Sequence, residues 1–194
     1  MQVFKPVFIK GAARPNDFPA DLGREVAVAG RSNSGKSSAI NTAVGVKKLA
    51  RVSKTPGRTQ MINFFGLGEQ RRIVDLPGYG FARVPLAMRE QWRELIEAYF
   101  DRRESLAGLI VTVDIRRGLS ELDLAMLALA QGLAVPTVML LTKADKLSRG
   151  AGAARLRQIR REAPHGTLFT LFSAVNRTGV DEVRARLAGW LDMD

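Results

Sequence analysis

Gly30-Arg31-Ser32-Asn33-Ser34-Gly35-Lys36-Ser37-Ser38-Ala39, GRSNSGKSSA, follows directly on the apolar run Val26–Ala29. The apolar run reads as a short buried strand, and Lys36–Val44 reads as a helix. Between them, the spacing Gly30-x-x-x-x-Gly35-Lys36-Ser37 is that of a phosphate-binding loop. The glycines admit backbone angles that turn successive amide N–H groups inward, which forms a nest for phosphate oxygens. Lys36 is placed to reach the outer phosphates, and the helix N-terminus adds its dipole. The Ser37 hydroxyl suits Mg²⁺, a hard cation that prefers oxygen. Phosphate binding alone does not choose ATP over GTP, or hydrolysis over storage.

Outward from this loop, strands alternate with helices. Six strand-like runs are expected: EVAVAG, MINFFGLG, QRRIVDLP, GLIVTVDIR, VPTVMLLTKAD and TLFTLFSA. Helical spacing recurs over Met88–Phe100 and after a Ser120/Asp123 capping box to about Gln131. An Arg-rich helix is expected to run to about Ala163, and a last helix is expected to be capped by Thr178 and Asp181. The pattern predicts an α/β fold, a mostly parallel six-stranded sheet with helices on both faces. Residues up to about Leu22, punctuated by Pro6, Gly11, Pro15 and Pro19, are expected to be irregular. They form an N-terminal arm, 1–21, ahead of one domain, 22–194. The polar, basic stretch from Gly45 to Gln60 is expected to be a mobile loop.

In such sheets ligands bind beyond the carboxyl ends of the strands. Thr142-Lys143-Ala144-Asp145 follows the fifth expected strand, and Phe172-Ser173-Ala174 ends the sixth. A carboxylate at Asp145 can accept from both N1–H and N2–H₂ of guanine, a paired contact that adenine does not offer. The Lys143 stem can lie along the base plane, and the Ala174 N–H can donate to O6. Either fragment alone reads as a polar loop; together, in this order after a phosphate loop, they favour guanine. Asp75-Leu76-Pro77-Gly78 follows the third strand. Asp75 is placed to hold Mg²⁺ through water, and the Gly78 N–H to sense the γ-phosphate. Thr59, in the stretch Gly57-Arg58-Thr59-Gln60-Met61, can bring its hydroxyl to the same ion. Loss of the γ-phosphate would release both segments. The expected catalytic set is therefore Lys36, Thr59 and Gly78, with Asn33 as a candidate K⁺ ligand.

GRSNSGKSS, TPGRTQ, DLPGYG, TKAD and FSA together resemble the five G motifs of the translation-factor-related GTPases, and more narrowly the EngB-type GTP-binding proteins. The resemblance extends from Gly30 to Ala174. It implies a Ras-like G domain, GTP or GDP with Mg²⁺ as ligands, and a role in large ribosomal subunit assembly, with ribosomal RNA or a subunit precursor as partner. It also implies a requirement for normal division septum formation.

Three positions depart from the general pattern. Ras-type enzymes place a water-orienting glutamine after Asp-x-x-Gly; here it is Tyr79, which predicts slow, partner-dependent hydrolysis. Thr142 replaces the usual asparagine, removing an amide that can brace the phosphate loop and predicting moderate affinity. Asn33 matches related loops that bind K⁺, although asparagine also simply tolerates such turns.

The 194 residues carry 30 Lys+Arg against 19 Asp+Glu, a net charge of +11. No acidic residue lies between Val26 and Gly68, and a second acid-free basic cluster spans Arg149, Arg155, Arg157, Arg160 and Arg161. Such a surface suits a polyanion; the plainer reading is a solvated basic exterior. Cysteine is absent, which excludes disulfides and thiolate metal sites. No apolar run reaches membrane-spanning length, and MQVFKPVFIK lacks the apolar core of a secretory signal, so a cytoplasmic monomer is expected. His165 reads as a loop residue, Trp92 and Trp190 as core-facing, and Arg102-Arg103 and Arg116-Arg117 as solvated edges. Two other classes fit the phosphate loop: an ATP-using kinase or ATPase, and a basic RNA-binding module with vestigial hydrolysis.

Overall fold

The computed structural model describes residues 4–50, 61–80 and 86–193. The strands are β1 (Val7–Ala12), β2 (Arg24–Gly30), β3 (Ile62–Gly66), β4 (Arg71–Asp75), β5 (Leu106–Asp114), β6 (Thr137–Thr142) and β7 (Leu168–Leu171). The helices are α1 (Lys36–Val44), α2 (Leu86–Arg102), α3 (Glu121–Gly132), α4 (Arg149–Glu162) and α5 (Val180–Trp190). One sheet runs in the order β1-β3-β4-β2-β5-β6-β7. The pairs β4–β2, β2–β5, β5–β6 and β6–β7 are parallel, whereas β3 is antiparallel to both β1 and β4.

Period-two alternation in the buried strands divides the core. Ala27 and Ala29 of β2 face one side with Val111, Met139 and Leu141, and this side is covered by α2, α3 and α4. Val26 and Val28 face the other with Ile110, Val138 and Leu140, beneath α1 and α5. Strands buried on both faces are near-continuous apolar runs for this reason. The α/β class with helices on both faces is as expected.

The sheet nevertheless has a seventh strand. β1 lies in the segment expected to be irregular, and it pairs through its backbone with β3, Ala12 opposite Ile62 and Val7 opposite Gly66. Val7, Phe8, Ile9 and Lys10 are all exposed, so no alternation marks the strand. Its side chains are fastened at Ala12, buried in the core, and at Phe8, whose ring meets Phe65 edge-on at 5.7 Å.

Two further expectations are corrected. α5 is not capped by Thr178 or Asp181: its N-cap is Gly179 in the left-handed region, and the Thr178 hydroxyl donates to Asn176 at 2.8 Å. Arg103 is not a solvated edge but is buried against Glu25, which is fully enclosed. Glu25 accepts from Arg103, from Arg72 at 2.8 Å and from the Tyr99 hydroxyl at 3.3 Å. Arg103 also donates to the Pro19 carbonyl at 2.7 Å, which fastens the end of the arm to the foot of α2.

Other expectations hold. Ser120 and Asp123 form a reciprocal capping box on α3. Trp92 and Trp190 pack against the two cores, His165 lies exposed in the α4–β7 loop, and Arg117 is exposed; Arg116, also exposed, is not merely solvated but donates to Asp114 at 2.9 and 2.7 Å.

Candidate functional site

Every parallel strand except β7 ends in a residue that the P-loop or its neighbours use. Gly30 closes β2 at φ +157°, and a Cβ there would lie 2.0 Å from the Thr112 hydroxyl. Gly35 sits at φ +98° immediately before α1. Only glycine meets both demands. Within the loop, the buried Ser34 hydroxyl shares a 2.7 Å hydrogen bond with Thr112 of β5, and Thr112 donates onward to the Ala29 carbonyl at 3.0 Å. Asn33 adopts φ 63°, a conformation asparagine reaches more readily than most residues.

The DLPG segment lies against this loop. Asp75, at the carboxyl end of β4, forms an ion pair with Lys36. Leu76 is buried and its N–H donates to the Val28 carbonyl at 3.0 Å. Gly78 lies over Ser32, and the Ser32 N–H donates to the Tyr79 carbonyl at 2.8 Å. Arg31 faces Tyr79 in a parallel bridge. The Pro77 carbonyl accepts from the Trp92 indole at 3.3 Å, so α2 holds the segment from outside. Tyr79 itself is 3% exposed and its hydroxyl donates to Asp123 at 2.6 Å. Burial, and next the Asp123 carboxylate, push this phenol well above its ordinary pKa, so it keeps its proton.

TKAD and FSA form the other half of the rim. The Thr142 hydroxyl donates to the Ser34 carbonyl. The P-loop is thus braced from β6 by a hydroxyl, without an asparagine. The Lys143 ammonium donates to the Asn33 carbonyl at 2.7 Å and to Asp114 at 2.9 Å. Burial would raise the Asp114 pKa, but hydrogen bonds from Arg116 and Lys143 hold it far below the usual carboxylate range. The Ala144 N–H donates to the Phe172 carbonyl at 3.1 Å, and the Ser173 hydroxyl to Asp145 at 2.7 Å. Ser173 in turn accepts from the Val175 and Asn176 N–H groups, fixing the turn that contains Ala174. The Ser173 hydrogen bond keeps the Asp145 carboxylate below its ordinary pKa, so Asp145 stays an acceptor at neutral pH.

The expected residues from Gly30 to Ser38, Asp75 to Gly78, Thr142 to Asp145 and Phe172 to Ala174 thus share one rim of the sheet. Gly57, Arg58, Thr59 and Gln60 lie outside the described residues. Met61 is exposed, with its thioether turned onto Gly11 of β1 rather than bonded into the rim. Thr112 and Asp114 are absent from the sequence expectations, in which Trp92 and Arg116 have other roles than holding DLPG and Asp114. Their signal was polar Thr112 and Asp114 inside the otherwise apolar run LIVTVDI, where each is buried.

Comparison with known proteins agrees with this geometry. Residues 25–143 match the family model described as "50S ribosome-binding GTPase". The chain is 48% identical over 186 residues to a "Probable GTP-binding protein EngB" of Coxiella burnetii (strain CbuG_Q212), covering 94% of this chain and 91% of that protein. A second such protein, from strain CbuK_Q154, is 47% identical over 190 residues, covering 96% and 93%. Among solved structures, a "probable GTP-binding protein engB" superposes with a TM-score of 0.69 at 24% identity, over 88% of this chain and all of that one. Era, solved with MgGDPNP and nucleotides 1506–1542 of 16S ribosomal RNA, superposes at 0.65 with 20% identity, over 88% of this chain and 57% of Era.

Proposed function

This chain belongs to the EngB family of GTP-binding proteins, and from that premise we propose that it is a GTP-driven switch in large ribosomal subunit assembly, with slow intrinsic hydrolysis that a partner accelerates. It is a P-loop GTPase that binds guanine nucleotide and converts GTP to GDP and phosphate. In this reading residues 22–194 act as the G domain, and β1, within the arm 1–21, completes its sheet edge.

The observation that supports this best is the joining of the two halves of the rim. Thr142 and Lys143 hold the carbonyls of Ser34 and Asn33, while Asp145 is aimed by Ser173. Such a frame fixes the distance between a phosphate nest and a purine reader before any nucleotide arrives, so little ordering is needed on binding. Asp145 takes the guanine N1–H and N2–H₂, and Lys36 leaves Asp75 for the phosphates.

The residues fit Mg²⁺. Among the described residues there is no cluster of three or more His, Cys, Asp or Glu side chains. A site with one carboxylate, Asp75, and the Ser37 hydroxyl suits an ion that takes its other oxygens from phosphate and water. Thr59 is the further proposed ligand. When bound, Mg²⁺ supplies positive charge to the β- and γ-phosphates.

Hydrolysis requires water to attack the γ-phosphorus as the bond to the β–γ bridging oxygen breaks. The P-loop amides and Lys36 offset the charge that develops on the phosphate oxygens. Tyr79, turned inward to Asp123, has no part in orienting the water. Nothing else among the described residues takes that position, and a partner or K⁺ held by Asn33 supplies the missing help.

Large-subunit assembly as the setting draws support from the family model's description, and an RNA partner from the net charge of +11. The requirement for normal septation belongs to the same proposal. Two measurements test it. GTP and GDP should displace a fluorescent guanine nucleotide where ATP does not; preference for ATP would favour the kinase reading. GTP-loaded protein should sediment with large-subunit precursors and GDP-loaded protein should not; equal sedimentation would favour an RNA-binding module with vestigial hydrolysis.

A further inference from the structure

We propose that the outward face of α4 is an anchor for the phosphate backbone of structured RNA, holding equally in the GTP and GDP states. This rests on the reading of the protein as an RNA-docking switch and names a surface for it. α4 buries little, only Gly152 and Ile159, and its bonds inward are those of Arg155, which donates to the Ile115 carbonyl at 3.1 Å. Arg149, Arg157, Arg160 and Arg161 are all exposed. At about 100° per residue they fall within an arc of about 120°, spread along roughly 18 Å of helix. The one acid of the helix, Glu162, lies on the opposite flank, where it accepts from Gln158 at 3.1 Å. No salt bridge among the described residues engages Arg157, Arg160 or Arg161.

The chemistry of the face selects its occupant. All its basic residues are arginines, whose planar fork pairs with phosphate through two parallel bonds. Gly150 and Ala154, in or beside this arc, are exposed and small, so a backbone can approach the helix closely. The exposed face carries no aromatic or large apolar side chain. The face lacks the aromatic anchors that dominate most protein interfaces and the apolar side by which an amphipathic helix enters a membrane. A regular line of phosphates needs neither.

Its place in the fold predicts indifference to nucleotide state. α4 follows the base-reading turn, and Ser148 caps it by accepting from the Ala151 N–H at 3.3 Å. Among the described residues no hydrogen bond joins α4 to the DLPG segment.

The test uses the full-length triple variant Arg157→Gln/Arg160→Gln/Arg161→Gln, with Lys47→Gln/Lys48→Gln as a control on another basic surface. Glutamine keeps helix propensity, and unchanged GTP affinity verifies the fold. The probe is a 20-base-pair RNA duplex of arbitrary sequence, titrated from low to moderate salt. The slope of log K against log salt should fall by roughly 2–3 for the triple variant in both nucleotide states. Wild-type slope and affinity in the triple variant would overturn the assignment to α4 and leave RNA docking standing. Loss confined to the GTP state would overturn the anchor. Polyglutamate of equal charge binding as tightly as the duplex would reassign the face to acidic protein. Failure of the wild type to bind RNA in low salt would remove the docking reading as well.

Discussion

The hydroxyl of Thr142, the last residue of β6, donates to the main-chain carbonyl of Ser34, 108 positions earlier in the P-loop. The bond joins two motifs proposed to handle opposite ends of the nucleotide, and it depends on the Thr142 hydroxyl proton. Thr142→Val keeps the branched shape and removes the donor, leaving a buried carbonyl without its partner. Such a loss costs about 1–3 kcal/mol. GTP and GDP should therefore both bind roughly tenfold or more weakly, through faster dissociation, and Thr142→Ser should restore most of the affinity. Dissociation rates of fluorescent GTP and GDP measure this; a change for one nucleotide alone would show that Thr142 acts on the γ-phosphate instead.

Asp145 should set base identity. Asp145→Asn exchanges a pair of acceptors for one acceptor and one donor, so guanine preference is lost and xanthine nucleotides gain affinity. The direction of the pKa shift adds a pH test. The Ser173 hydrogen bond lowers the folded-state value, so the carboxylate gains its proton at lower pH than an ordinary aspartate does. Guanine affinity should hold from pH 7 down to about 5 and decline only below that. Ser173→Ala raises the value, and the decline should then begin at higher pH. A pH profile identical to wild type would show that Ser173 does not tune Asp145.

Four of the motifs, GRSNSGKSS, DLPGYG, TKAD and FSA, were legible because each couples residue type to a place after a strand. What escaped notice depends on partners remote in the chain. Arg103 meets Glu25 across 78 positions, and nothing local distinguishes it from the neighbouring Arg102. β1 lacks alternation because its side chains stand largely in solvent and its order comes from the β3 backbone. The Thr142 brace escaped for a third reason: the missing asparagine shows in the motif, but not that the Thr142 hydroxyl reaches the Ser34 carbonyl. Asp123 was read correctly as a cap, yet its second oxygen also receives the Tyr79 hydroxyl.

Tyr79→Phe separates structure from catalysis. With its hydroxyl committed to Asp123, Tyr79 does not touch the attacking water, so single-turnover GTP hydrolysis should stay within about twofold of wild type. Stability should fall by about 1 kcal/mol, since Asp123 keeps its bonds from the Ser120 N–H and hydroxyl. A large loss of hydrolysis with normal stability would return Tyr79 to the reaction centre.

The Glu25 cluster should dominate the response to unfolding. Arg103→Ala leaves a fully enclosed carboxylate with Arg72 and Tyr99 as its remaining side-chain partners and frees the Pro19 carbonyl. Removing one partner of a buried ion pair costs ~3–5 kcal/mol, far above the ~0–1 kcal/mol of an exposed pair such as Arg93–Glu97. The midpoint of urea denaturation should fall accordingly for Arg103→Ala and hardly move for Arg93→Ala. Similar midpoints would mean that water reaches Glu25 and shares its charge.

Asn33 separates two explanations of a single residue. Its φ of 63° already accounts for asparagine in this turn, because its short side chain is compatible with the left-handed region. A role in holding K⁺ requires the side-chain carbonyl in addition. Asn33→Gly preserves the backbone conformation and deletes the carbonyl, so it isolates the second role. The proposal predicts faster GTP turnover in KCl than in NaCl at equal ionic strength for wild type, and equal rates for Asn33→Gly. Because Lys143 holds the Asn33 main-chain carbonyl, which glycine retains, GTP affinity should stay close to wild type in the variant. Equal wild-type rates in the two salts would leave Asn33 as a turn residue alone, and the missing charge would then have to come from the partner.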